Sequence, residues 1–106
     1  MQNYKELQVW KKAHDLTLNV YDITKKFPKE EMFSLTSQIR RSCYSIPSNI
    51  AEGCGKFTSL DFANYLQIAL GSLNETEYFV LLSRDLNYID ETTYAMLITL
   101  IKKIRV

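Results

Sequence analysis

The chain has 106 residues, with 13 Lys+Arg against 12 Asp+Glu, a formal net charge of +1, and 46% apolar and 24% charged residues. That is the mix of an ordinary soluble globular protein, and the length suits a single domain over 1–106. Three glycines and two prolines are too few for the turns of a β-sandwich or barrel, and no apolar run approaches the about 20 residues that span a membrane.

The opening MQNYKELQVWKK carries charges where a secretory leader has its apolar stretch, so a cytoplasmic protein is expected. A first helix is expected over about 4–27. Val9, Ala13, Leu16, Val20, Ile23 and Phe27 form one apolar row at helical spacing, while Gln8, Lys12, Asp15, Asn19, Asp22 and Lys26 form a polar one. Pro28 ends it by pushing Phe27 out of the helical region.

A second helix is expected over about 34–53, with the Ser34 side chain as its cap. Leu35, Ile39, Cys43, Ile46, Ile50 and Cys54 are its apolar row. Pro47 lies inside the pattern, yet the register stays in phase across it, which predicts one proline-kinked helix and not two. Gly53 and Gly55 are expected to supply a left-handed stop.

Thr58 or Ser59 opens a third helix, expected over about 58–87, with Asp61 in its first turn. It is apolar on more than one side. Phe62, Leu66, Ala69, Leu73 and Val80 make one stripe, and Tyr65, Ile68, Phe79, Leu82 and Leu86 another. Asp90 caps a fourth helix over about 90–105, with Tyr94, Leu97, Ile98, Ile101 and Ile104 inward. The fold class is all-α, an antiparallel up-down four-helix bundle.

One stripe per helix is enough to build a bundle, so the second stripe of the third helix has two readings. It packs inside the monomer, or it is an oligomer interface centred on Tyr65, Ile68, Tyr78, Phe79 and Leu82.

Catalytic chemistry has little support. The only histidine, His14, has no carboxylate at helical spacing, and a bundle di-iron site needs two Glu-x-x-His motifs. No zinc spacing is present, so no metal and no cofactor are expected. Cys43 and Cys54 read as buried free thiols, about 16 Å apart along one helix and beyond disulfide reach. Gly53-Cys54-Gly55 lacks the strand and third glycine of a dinucleotide loop, and Glu75 and Glu77 diverge on a helix. The expectation is a non-enzyme with no small-molecule substrate and no membrane association.

Charge is polarised along the chain. Residues 1–57 carry nine Lys/Arg against six Asp/Glu, a balance of +3; residues 58–106 carry four against six, a balance of −2. Lys11, Lys12, Arg40, Arg41 and Lys56 are therefore candidates for contacting nucleic-acid phosphates. The alternative is a solvated face. Arg40 and Arg41 point about 100° apart. Arg41 shares the polar row of Gln38, Ser45 and Glu52, so it contacts phosphate or pairs across the bundle or a subunit interface, for instance with a neighbouring copy's Glu52.

The run SLTSQIRRSCYSIPSNIAEGCGK, then Phe62, Tyr65, Leu66 and IALGSLNETE, closely resembles the bacterial four-helix bundle proteins encoded in intervening sequences of large-subunit ribosomal RNA genes. LQVWKKAHDL with Val20-Tyr21 and Phe27-Pro28 extends the likeness over nearly the whole chain. Gln38, Arg40, Arg41, Pro47, Asn49, Glu52 and Gly53 match the family motif. The accessory variability determinant of diversity-generating retroelements, a pentameric nucleic-acid binder, looks like a relative. The resemblance implies a homopentameric bundle and association with RNA or another nucleic acid. A protein–protein scaffold without nucleic acid is the alternative.

Overall fold

The computed structural model describes residues 2–105, so both ends of the expected 1–106 domain lie just outside it. Four helices carry the fold: α1 (Gln8–Thr24), α2 (Leu35–Cys54), α3 (Ser59–Asp85) and α4 (Glu91–Ile104). No strand occurs among the described residues. Short 3-10 turns at Tyr4–Glu6 and Lys29–Glu31 precede α1 and α2. Cross-helix contacts pair rising with falling sequence numbers: Thr17 with Cys43 and Thr24 with Arg40, then Ser42 with Thr76 and Ser45 with Ser72. Arg105 meets Asn74, and Arg84 meets Glu91. Successive helices are therefore antiparallel.

The apolar rows explain the core. Leu16 and Val20 of α1, Ile39, Ile46 and Ile50 of α2, Leu73 and Val80 of α3, and Leu97 and Ile101 of α4 are all buried. Each such side chain contributes about 1.5–3 kcal/mol relative to exposure. α2 runs as a single helix through Pro47. The proline has no N–H for the Cys43 carbonyl one turn back. The Thr17 hydroxyl of α1 lies 3.4 Å from that oxygen, and the Cys43 thiol lies 3.7 Å from Thr17 Oγ1.

Helix ends depart from the sequence reading in three places. The first α-helix starts at Gln8, because Leu7 is extended and Asn3 caps a separate 3-10 turn; it ends at Thr24, where tighter bonds take over. Ser34 makes no side-chain cap, and Glu31 Oε1 instead accepts the Leu35 N–H at 3.3 Å. Neither Gly53 nor Gly55 is left-handed. Gly53 serves close approach: a Cβ there would stand 2.9 Å from the Tyr65 Cβ on α3. The left-handed residue is Asn87, φ 64°, which closes α3 in a Schellman turn with Tyr88 N–H on the Ser83 carbonyl and Asn87 N–H on Arg84. Thr58 and Asp90 cap α3 and α4 as their positions predict, accepting from Asp61 and Thr93.

Length decides where the bundle is open. α3 has 27 residues and α4 only 14, with α4 ending level with Asn74. Beside the first half of α3 lies an apolar groove of about 290 Å³ between Val9, Ile50, Leu66, Leu70 and Ile104.

Candidate functional site

The basic residues singled out in the sequence do not form one patch. Lys11 and Lys12 line a groove of about 260 Å³ between α1 and α4, together with Asp15, Leu100 and Lys103. Arg40 is committed to packing: its Nε donates to Thr24 Oγ1 at 2.8 Å and its guanidinium lies 4.8 Å from the Tyr21 ring centre. Arg41 faces the other way, into a groove between α2 and α3. The Lys56 ammonium lies 5.3 Å from the Tyr65 ring centre. Lys103 is the residue that the charge count missed. It belongs to the net-acidic half of the chain, yet antiparallel packing returns the last turn of α4 to Lys11 and Lys12. Its signal was the Lys102-Lys103 pair at a helix C-terminus.

The proposed interface residues divide. Ile68 and Tyr78 are 52% and 56% exposed on α3. Phe79 and Leu82 pack against the core and are only half-buried. Tyr65 is half-buried, its hydroxyl donating to Glu52 Oε2 at 2.9 Å. Leu60 and Leu70 of the same helix, not singled out from sequence, are exposed at 72% and 48%. α3 is thus apolar on faces that no other helix of the monomer covers.

Of the motif residues, Gln38, Arg41, Asn49, Glu52 and Gly53 lie along the seam between α2 and α3, whereas Arg40 packs on Thr24 and Tyr21 of α1. Gly53 admits Tyr65 and Phe62, and Glu52 accepts from Tyr65. Asn49 Nδ2 donates to the Ser45 carbonyl at 2.7 Å and lies 2.9 Å from Ser45 Oγ, which in turn meets Ser72 Oγ at 2.9 Å. One step deeper, Thr76 donates to Ser42 at 2.9 Å. Pro47 is buried, and Gln38 lines the open groove beside Arg41. Gly53 lets the two helix backbones approach closely, and the hydroxyls of Ser42, Ser45, Ser72 and Thr76 satisfy one another across the seam.

The reactive side chains are held away from chemistry. Burial pushes the Cys43 thiol up to about 12, so it stays protonated at neutral pH; Cys54 is also raised by burial. His14 stacks on Trp10 at 4.9 Å between ring centres. Among the described residues no group of three or more His, Cys, Asp and Glu is placed to hold a metal ion. The shifted carboxylates are structural. Glu31 is held below its usual range by the Tyr88 hydroxyl at 2.7 Å and then by the Leu35 N–H, and the same contact raises the Tyr88 phenol. Asp90 is lowered by its cap bonds to Thr93. Among the described residues no helix is long and apolar enough to cross a membrane.

Comparison with known proteins adds a family. The family described as 23S rRNA-intervening sequence protein matches residues 5–106. A crystal structure of a protein of unknown function from the S23 ribosomal protein family of Bacteroides thetaiotaomicron superposes with a TM-score of 0.83. It is 31% identical, over 91% of this chain and 90% of that one. No curated protein matches the chain.

Proposed function

The chain belongs to the 23S rRNA-intervening sequence protein family, and from that premise we propose that it works without catalysis, as a homopentameric cytoplasmic assembly of four-helix bundles that associates with RNA. The observation that carries the self-assembly is the outward face of α3. Leu60, Ile68, Leu70 and Tyr78 are exposed there, although a monomer needs only the inward row of Ala69, Leu73, Thr76 and Val80. Large apolar side chains left exposed along one helix are what an interface would cover, and tyrosine is enriched in interfaces.

RNA association is supported by the groove of Lys11, Lys12 and Lys103. One such groove is a modest cation. Repeated around a closed ring it becomes a band able to displace counterions from several phosphates at once. The test is fluorescence anisotropy with single-stranded and duplex RNA over a series of salt concentrations. Affinity is expected to fall steeply with salt, and Lys11→Gln, Lys12→Gln and Lys103→Gln together should flatten the slope by about 0.7 per lost single-strand phosphate contact. Absent or salt-independent binding rejects the RNA part.

A scaffold without nucleic acid is the second reading. It draws support from Phe33 and Phe57, loop residues 90% and 88% exposed and free to enter a protein partner's pocket. Assembly that persists while RNA binding is absent selects it.

A further inference from the structure

α1 carries a second row that the core does not use. Trp10, His14, Leu18 and Tyr21 follow one another at three- and four-residue spacing, outside the buried row of Ala13, Leu16 and Val20. His14 is exposed, and Leu18 and Tyr21 are 57% and 37% exposed. Trp10 is half-buried, and the Tyr4 ring meets it at 5.1 Å between centres, tilted by 64°. The His14 imidazole lies flat on the indole, 4.9 Å between centres and 10° between planes. Tyr4 pins the 3-10 turn to α1 through its contact with Trp10. That contact leaves His14, Leu18 and Tyr21 in water.

Cations flank the rings. Lys11 is a surface neighbour of His14 three residues on, and it also lines the groove of Lys12 and Lys103, so rings and groove are continuous. The Lys5 ammonium stands 6.0 Å from the Tyr4 ring centre, and the Arg40 guanidinium 4.8 Å from that of Tyr21. Of the carboxylates on this stretch, Asp22 has Lys25 at 4.0 Å, Asp15 lies in the lysine groove, and Glu6 follows Lys5. Aromatic planes interleaved with cations are what a nucleic-acid single strand requires, since phosphates meet the cations while unpaired bases stack on the rings. A duplex keeps its bases stacked on one another and offers no such face. Lysine is depleted in protein interfaces, which disfavours a protein as the occupant.

We propose that this outer row of α1 is a stacking platform for single-stranded RNA. Unpaired bases lie on the His14–Trp10 pair and on Tyr21, and the backbone is tracked by Lys11 and its groove. The proposal rests on the RNA reading above and adds to it the form of RNA that is bound.

Trp10 is the one tryptophan of the chain, so its fluorescence reports on the platform directly. Wild type is titrated with oligouridylate, with duplex RNA of the same length and with inorganic polyphosphate, affinity for the two RNAs being read separately by anisotropy. Oligouridylate should quench the tryptophan and bind more tightly than the duplex, while polyphosphate, which has the charge without the bases, leaves the emission unchanged. His14→Ala combined with Tyr21→Ser should lower oligouridylate affinity about tenfold at every salt concentration without altering the salt slope. Lys11→Gln should flatten that slope. Circular dichroism checks that each variant is folded. Oligouridylate that binds without quenching, binds no better than duplex, or binds the ring variant as tightly as wild type overturns the platform and leaves the RNA reading standing. No binding of any RNA by wild type is the other failure, and it removes the RNA reading and the platform together.

Discussion

α2 and α3 lie side by side through most of the bundle, yet their outer faces differ in kind. α2 is amphipathic in the simple sense: its apolar row from Leu35 to Cys54 is buried and its opposite row, Ser37, Gln38, Arg41 and Ser48, is exposed and polar. α3 buries Ala69, Leu73 and Val80 inward and still presents Leu60, Ile68, Leu70 and Tyr78 outward. One chain covers the apolar surface of α2 except at Tyr44. α3 has apolar surface that one chain leaves in water, and a second copy is the economical way to cover it.

That contrast predicts opposite consequences for inward and outward substitutions. Leu73→Ala, at a fully buried site in well-packed core, should lower unfolding free energy by about 2–5 kcal/mol, read from urea denaturation. Gly53→Val should cost about 1–3 kcal/mol, because its Cβ and methyls collide with the Tyr65 Cβ and the Phe62 ring across the seam. If Gly53→Val unfolds like wild type, close approach is not what that glycine provides.

A smaller effect concerns the start of α2. Glu31 has a depressed pKa in the folded state, so its contribution is present above its unfolded value near about pH 4.3 and is lost as pH falls through the lower folded value. Glu31→Gln should therefore destabilise at neutral pH and leave a flatter stability profile in acid, measured by thermal melts. Tyr78→Ser should have the smallest effect on folding, within about 0.5 kcal/mol for a surface site, while lowering the native mass. Equal losses of folding stability for Leu73→Ala and Tyr78→Ser would erase the distinction between the two faces.

Much of this fold was legible because helical rows are a long-range signal. Every member of the apolar row Leu35, Ile39, Cys43, Ile46, Ile50 and Cys54 is buried, and Thr58 and Asp90 cap where their side chains suggest. What was not legible depends on neighbours distant in sequence. Glu31 displaces Ser34 as the cap because the Tyr88 hydroxyl, from the turn after α3, fixes its carboxylate. Gly53 read as a stop because its crowding by Tyr65 is a tertiary fact. Asn87 carried its own signal, since asparagine is the commonest non-glycine residue in the left-handed region after a helix. The candidate surfaces were harder still. Summing charge by halves of the chain hid Lys103, which only antiparallel packing brings to Lys11 and Lys12, and it grouped Arg40 with residues that the fold sends to other faces.

The most direct measurement is the native mass of the wild-type protein by light scattering at two protein concentrations. The account predicts a stable mass near five chains at both concentrations, with the outward face of α3 covered. A monomer at both would contradict it and leave Ile68 and Tyr78 as ordinary exposed residues.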